Sequence, residues 1–196
     1  VVGILPDGRL IPSTSVGNNK TWLDQAKHII LEVNLHQNPA LAGMHDIYYG
    51  THLPPHRQPI PLVKTSDRIG EPYLQCDPAK VIAVVITDHP DRNSAFDAPS
   101  EVSSRIADHI IDFLQHEVKV GRLPPELLPL QSGVGNIANA VLAGLNKGPF
   151  ENMTAYTEVL QDGMLDMLRS GKLTKASATA LSFSPDALAD FNENIA

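Results

Sequence analysis

The sequence predicts an α/β protein with parallel strands and flanking helices. Three observations carry that prediction. Two apolar runs rich in β-branched residues, 27–33 (KHIILEV) and 80–87 (KVIAVVIT), have the character of strands buried on both faces, as in a parallel sheet. Residues 99–119 carry a helical period. From residue 127 onward strand-like and helix-like segments alternate three times, which implies parallel strands joined by right-handed crossovers.

Between the two apolar runs, residues 36–62 hold His36, His45, His52 and His56 together with Gly43, Gly50 and five prolines. That composition predicts a long loop or hairpin segment without regular helix. Pro99-Ser100-Glu101 then opens a helix in which Val102, Ile106, Ile110, Phe113 and Leu114 recur near the 3.6-residue period. The helix should stop before Gly121, with Lys119 in its last turn. Residues 127–131 (LLPLQ) read as a strand, 133–136 (GVGN) as a tight turn, and 137–145 as a helix closed near Asn146 and Gly148. Residues 153–159 read as the next strand, 163–169 as a helix stopped by Gly171, and 178–183 as a strand. Ser184-Pro185-Asp186 caps a last helix. The best boundary lies near residue 98, in the loop 88–99. The halves 1–98 and 99–196 each look too small for a complete α/β domain. The chain also opens at Val1 without an initiator Met, so a piece of a longer protein is expected.

Composition excludes several classes. With 196 residues, 42% of them hydrophobic, the chain can bury a sizeable core and is neither disordered nor collagen-like. A net charge of −7 and 5% aromatic residues argue against nucleic-acid binding, which needs clustered cations and stacking surfaces. No apolar run approaches the ~20 residues of a membrane span. Cys76 is the single cysteine and has no internal partner, which points to a reducing compartment, cytoplasmic by expectation, with mitochondrial as the alternative.

Three places could carry chemistry. Gly133-Val134-Gly135-Asn136 lies between a predicted strand and a helix N-terminus, where unpaired N–H groups attract an anion or a developing oxyanion. A tight turn that needs glycine for packing alone is the alternative. A β-branched residue at Gly135 is expected to crowd that turn. Glu158 leaves the following strand on the same predicted edge. It is either a capping or solvated acid, or a base or nucleophile facing those amides. Arg92 follows the run 80–87 and either binds a carboxylate bidentately or pairs with Asp88, Asp91 or Asp97. The four histidines with Asp46 match no zinc spacing, so no metal is expected. Ser15 and Ser132 lack a G-x-S-x-G elbow, and no phosphate-binding P-loop motif is present.

Residues 127–145 (LLPLQSGVGNIANAVLAGL) followed by 156–162 (YTEVLQD) resemble the acetyl-CoA hydrolase/transferase family. Residues 13–34, the triplet His45-Asp46-Ile47 and the segment Gly121-Arg122-Leu123-Pro124 fit the same family. Its members are longer and carry two related α/β domains of the CoA-transferase type. The resemblance implies that 1–98 is the later part of the first domain and 99–196 the beginning of the second, both incomplete here. It implies transfer of CoA between an acyl-CoA and a small carboxylic acid, acetate and succinate being the default pair. Hydrolysis of acetyl-CoA is the alternative, and a noncatalytic anion-binding module a remoter one. Coenzyme A would be a substrate, no cofactor or metal would be needed, and the full-length protein would be a homodimer. By the same resemblance Glu158 is the catalytic nucleophile and the Val134 amide one oxyanion donor. Arg92 would face the carboxylate substrate.

Overall fold

The computed structural model describes residues 1–91, 93 and 99–195, and the chain divides into two units, Val1–Arg92 with Asn192–Ala196, and Asn93–Phe191. In the first unit, β1 (Gly3–Ile4) and β2 (Leu10–Ile11) form an antiparallel pair. They are followed by the short helix α1 (Asn19–Gln25), then β3 (Ile29–Asn34) and β4 (Val81–Thr87). β3 and β4 pair in parallel, with Leu31 opposite Val84 and Asn34 opposite Thr87. The 46-residue stretch between them is irregular apart from single 3-10 turns at Pro39–Leu41 and Pro78–Lys80, as its prolines predict. Leu10, Ile29, Leu31, Ile47 and Leu74 form the core of this unit.

That core covers one face of β3 only. Ile29, Leu31 and Val33 are buried, whereas Ile30 is 63% exposed, and β4 exposes Ile82, Val84, Val85 and Ile86 by 45–63%. Burial on both faces, expected from composition, is therefore not what the structure shows. Among the described residues the sheet of this pair has two strands only.

The second unit begins with α2 (Glu101–Lys119), whose N-cap Ser100 accepts a hydrogen bond from the Ser103 N–H at 3.1 Å. Its buried stripe is Ser103, Ala107 and Ile111, one position over from the apolar series that sets its period. Val102 and Phe113 of that series are 68% and 60% exposed. The reason is α3 (Asn136–Lys147), which approaches closely enough that a Cβ on Gly144 would sit 3.1 Å from Ile111 Cγ1 and 3.9 Å from the Ala107 Cβ. Small side chains face each other there. Past α2, Gly121 adopts φ +77° and Arg122 folds back to bond the Glu117 carboxylate, which that hydrogen bond holds below the usual carboxylate range.

β5 (Met153–Gln161), α4 (Asp162–Arg169), β6 (Leu173–Ser182) and α5 (Pro185–Glu193) complete the chain. β5 and β6 pair in parallel, with Ala155 opposite Ala176 and Gln161 opposite Ser182. Residues 127–131 do not form a strand. Pro129 lacks an N–H, Leu127 takes φ +60°, and only Leu130 pairs in parallel with β5. Its N–H reaches the Thr154 carbonyl at 2.8 Å, and its carbonyl accepts from Tyr156 at 2.9 Å. β6 starts five residues earlier than its apolar run, because the polar opening Thr174-Lys175 hides it. Met153 and Leu173 of the strands and Met164 and Met167 of α4 are almost wholly buried in the core of this unit.

The apolar faces of β3 and β4 should make residues 1–196, expressed alone, self-associate and bind a hydrophobic dye. Replacing Ile82 and Ile86 by Lys should shift the sedimentation profile toward monomer with unchanged far-UV circular dichroism. A wild-type chain that is monomeric and dye-silent would show that these faces are not adhesive.

Candidate functional site

The segment 127–136 reaches the carboxyl end of β5 and is held there by side chains of that strand. The Thr157 hydroxyl donates to the Ser132 carbonyl at 3.1 Å and accepts from the Ser132 N–H at 3.4 Å. The Gln161 amide donates to the Gly133 carbonyl at 2.9 Å. Thr157 is 6% exposed and Gln161 1%, so all three bonds are made by buried side chains. Each contributes about 1 kcal/mol net, and more is lost if a partner is left unpaired. The turn and β5 are therefore adjacent, as the parallel topology predicts.

The turn changes direction at Gly135, which has φ +143° and ψ 167° and serves as the N-cap of α3 without a side-chain cap. That conformation is essentially restricted to glycine. A Cβ at Gly133 or Gly135 meets nothing within 4 Å. The crowding expected at Gly135 is thus absent: the glycine is required by backbone conformation, with open space above it. Val134 is 63% exposed, and among the described residues no acceptor receives its N–H. The first N–H groups of α3 add their positive end at the same place. Beneath the turn, Asn139 Oδ1 and Gln161 Oε1 are buried with no donor among the described residues.

Glu158 lies three residues inside β5 rather than at its end, because the strand runs on to Gln161. Its carbonyl accepts from the Thr179 hydroxyl at 2.8 Å. Its side chain is exposed, and among the described residues its carboxylate has no hydrogen bond or ion pair. The neighbouring polar side chains differ. Thr157 and Gln161 hold the turn, and Asp162 accepts from the Ser184 N–H at 2.9 Å, fixing the end of β6 to the start of α4. From Thr157 to Asp162, Glu158 is the one polar side chain without a structural task among the described residues. Thr157 and Gln161 were missed by sequence reasoning, since contacts 25 and 28 residues apart leave no periodic trace.

Arg92 lies outside the described residues. Two of the carboxylates considered as its surface partners are otherwise engaged. Asp88 lies 3.3 Å from His36 Nδ1, and Asp91 accepts from Thr14 and Gln37, each at 2.7 Å. Thr14 and Gln37 are buried, and Asn34 bonds His89 through both backbone groups, so the carboxyl ends of β3 and β4 are tied together. Two further residues of the histidine loop, Asp46 and His45, have structural partners. Asp46 accepts from the Ile69 and Gly70 N–H groups, the latter at 2.6 Å, and His45 Nε2 lies 2.9 Å from the Ser13 carbonyl. Burial pushes the His45 pKa down, the Ser13 carbonyl opposing only part of it.

Residues 3–97 match the family described as acetyl-CoA hydrolase/transferase N-terminal domain. Over 194 residues the chain is 45% identical to a succinyl-CoA:acetate CoA-transferase of Clostridium kluyveri, covering 99% of this chain and 36% of that protein. It is 46% identical over 191 residues to an acetyl-CoA hydrolase of Schizosaccharomyces pombe, covering 97% and 36%. The chain thus spans a little over a third of the length of these relatives. A 4-hydroxybutyrate CoA-transferase of Porphyromonas gingivalis shares the fold, with a TM-score of 0.61 and 19% identity over 97% of this chain and 40% of that one.

Gly135→Ala should lower stability by about 1–3 kcal/mol in denaturant unfolding, from backbone strain alone. Gly133→Ala, at a position without positive φ, should change it by less than about 0.5 kcal/mol. Equal effects would show that the conformation at Gly135 is not the constraint.

His45 has a folded pKa below its ordinary 6.5, so the unfolded chain binds the proton more readily. Its contribution is complete above that value and is lost as pH falls through it toward the folded pKa. The drop in urea midpoint between pH 7.5 and 5.5 should shrink in His45→Gln. An unchanged drop would assign it to other groups.

Proposed function

We propose, on the match of residues 3–97 to the acetyl-CoA hydrolase/transferase N-terminal domain family, that the chain carries the nucleophile and one oxyanion donor of an enzyme that transfers CoA from a short acyl-CoA to a carboxylate. The observation that carries this reading is the exposed, unengaged carboxylate of Glu158 on the strand that anchors the glycine turn. A carboxylate carried on the strand that anchors free backbone N–H groups suits attack on a thioester.

In the proposed reaction the Glu158 carboxylate attacks the thioester carbonyl, and the carbonyl oxygen becomes an oxyanion that the Val134 N–H stabilises. Collapse breaks the C–S bond and leaves an acyl-glutamyl anhydride and CoA thiolate. The thiolate attacks the glutamyl carbonyl of the anhydride, forming a glutamyl-CoA thioester and releasing the first carboxylate. An acceptor carboxylate, acetate or succinate by default, then reverses both steps and regenerates Glu158. Arg92 would hold that carboxylate. Coenzyme A enters as a substrate, and amides rather than a metal meet the charge that develops. Residues 1–98 would belong to the first CoA-transferase domain and residues 99–196 to the second. The complete protein would act as a homodimer in acetate metabolism, in a cytoplasmic or mitochondrial compartment where Cys76 stays reduced. Among the described residues no helix is long and apolar enough to cross a membrane.

Hydrolysis by the same glutamate is the second reading, favoured by the 46% identity to a protein named acetyl-CoA hydrolase. In that case water attacks the glutamyl-CoA thioester and returns CoA and the free carboxylate.

In the full-length protein, Glu158→Gln should lower kcat for acetyl-CoA turnover at least 10⁴-fold while leaving the melting temperature within a few degrees. Release or transfer of CoA that requires a carboxylate acceptor identifies a transferase, and turnover in water alone a hydrolase. Full activity in Glu158→Gln would remove Glu158 as the nucleophile from both readings, and absence of acyl-CoA turnover in the wild-type protein would leave an anion-binding module.

A further inference from the structure

Gln161 has no part in the reaction as described above, yet it is almost wholly buried and only one end of its amide is used. The Nε2 group donates to the Gly133 carbonyl at 2.9 Å, and Oε1 has no donor among the described residues. Burying an amide half-satisfied is a poor way to fill a core, which a methionine of similar volume would fill without that cost. What the arrangement gains is orientation. The peptide between Gly133 and Val134 is trans, the one cis bond among the described residues being Pro54-Pro55. In a trans peptide the C=O and the following N–H point in opposite directions. Turning the Gly133 carbonyl inward onto Gln161 therefore turns the Val134 N–H outward, to the side where Val134 is exposed and no protein acceptor receives it.

We propose that Gln161 is a positioning residue that fixes the plane of the 133–134 peptide, so that the Val134 N–H is held ready for an anionic oxygen. This rests on the reading of Val134 as an oxyanion donor. The flanking peptides give it little help. Gly135 follows with a conformation open to glycine alone, and Gly133 precedes with no side chain, so both neighbours of Val134 permit a flip that bonds to the carbonyl must prevent: the short buried one from Gln161 at 2.9 Å, with a longer, exposed one from the Ser132 hydroxyl at 3.3 Å. Thr157 fixes Ser132, one peptide earlier, and does not determine this plane.

The test uses the full-length protein and two substitutions. Gln161→Met removes the donor while keeping the volume, and should lower kcat for acetyl-CoA about 100-fold with the acceptor KM little changed, the effect expected of a misaimed oxyanion donor. Gln161→Glu is isosteric, and its carboxyl can donate to the Gly133 carbonyl only when protonated. Its activity relative to wild type should therefore rise as pH is lowered, while that of Gln161→Met stays flat. It also serves if the methionine variant does not fold. A crystal structure of either variant near pH 8 should show the 133–134 peptide flipped or in two orientations. Wild-type kcat in Gln161→Met, pH-independent activity ratios in both variants, or a Gly133 carbonyl still turned inward would each overturn the proposal. A flipped peptide together with full activity in Glu158→Gln would mean that the positioning holds and the chemical reading has failed.

Discussion

A single buried hydrogen bond, from the Gln161 amide to the Gly133 carbonyl, sets what the carboxyl edge of the β5–β6 sheet can present. Leu130 has just made its one parallel bridge to β5, and Pro129 prevents the ladder from growing in the other direction. Without a further anchor the chain between Leu130 and α3 would have no fixed relation to the strand beside it. Gln161, aided by Thr157, supplies that relation from the strand itself. The positive φ at Gly135 then swings the chain into α3, leaving the first N–H groups of the helix uncapped. The sheet edge, the turn and the helix end are thus one construction, and Glu158 stands on the strand that anchors it.

The first unit follows the same plan with different groups. Its parallel pair also ends in a polar knot, where Asn34 meets His89, and buried Thr14 and Gln37 both donate to Asp91. Ligands of open parallel sheets bind outside the carboxyl ends of the strands. Buried Thr14 and Gln37 in the first unit, and Thr157 and Gln161 in the second, make their hydrogen bonds toward that end. On the proposed chemistry, transferase and hydrolase differ only in what reaches the glutamyl thioester. Exclusion of water around Glu158 therefore matters more to the outcome than any change in the nucleophile.

Elements with a strong local signal were legible in the sequence. The capping of α2 by Ser100, the irregular 36–62 segment and the glycine turn before α3 all follow from residue type and spacing. What failed depends on partners distant in the chain. The run 81–87 has the composition of a doubly buried strand but lies exposed, because burial is a property of neighbours and not of the strand. The buried stripe of α2 was shifted by one residue because Gly144 lets α3 approach Ala107 and Ile111. Apolar content made 127–131 look like a strand, although Pro129 and the conformation of Leu127 forbid one. Glu158 was legible as a candidate from topology, and its proposed role comes from the family resemblance. Gln161 had no signal beyond its place in the quoted segment, since its bond spans 28 residues.

The most direct measurement is the mass of the peptide containing residues 153–169, isolated after the full-length protein has been incubated with acetyl-CoA and no acceptor. The account predicts a fraction of that peptide carrying CoA less one water on Glu158, discharged when a carboxylate acceptor is added. Continued turnover with an unmodified Glu158, or an adduct on another residue, would contradict it.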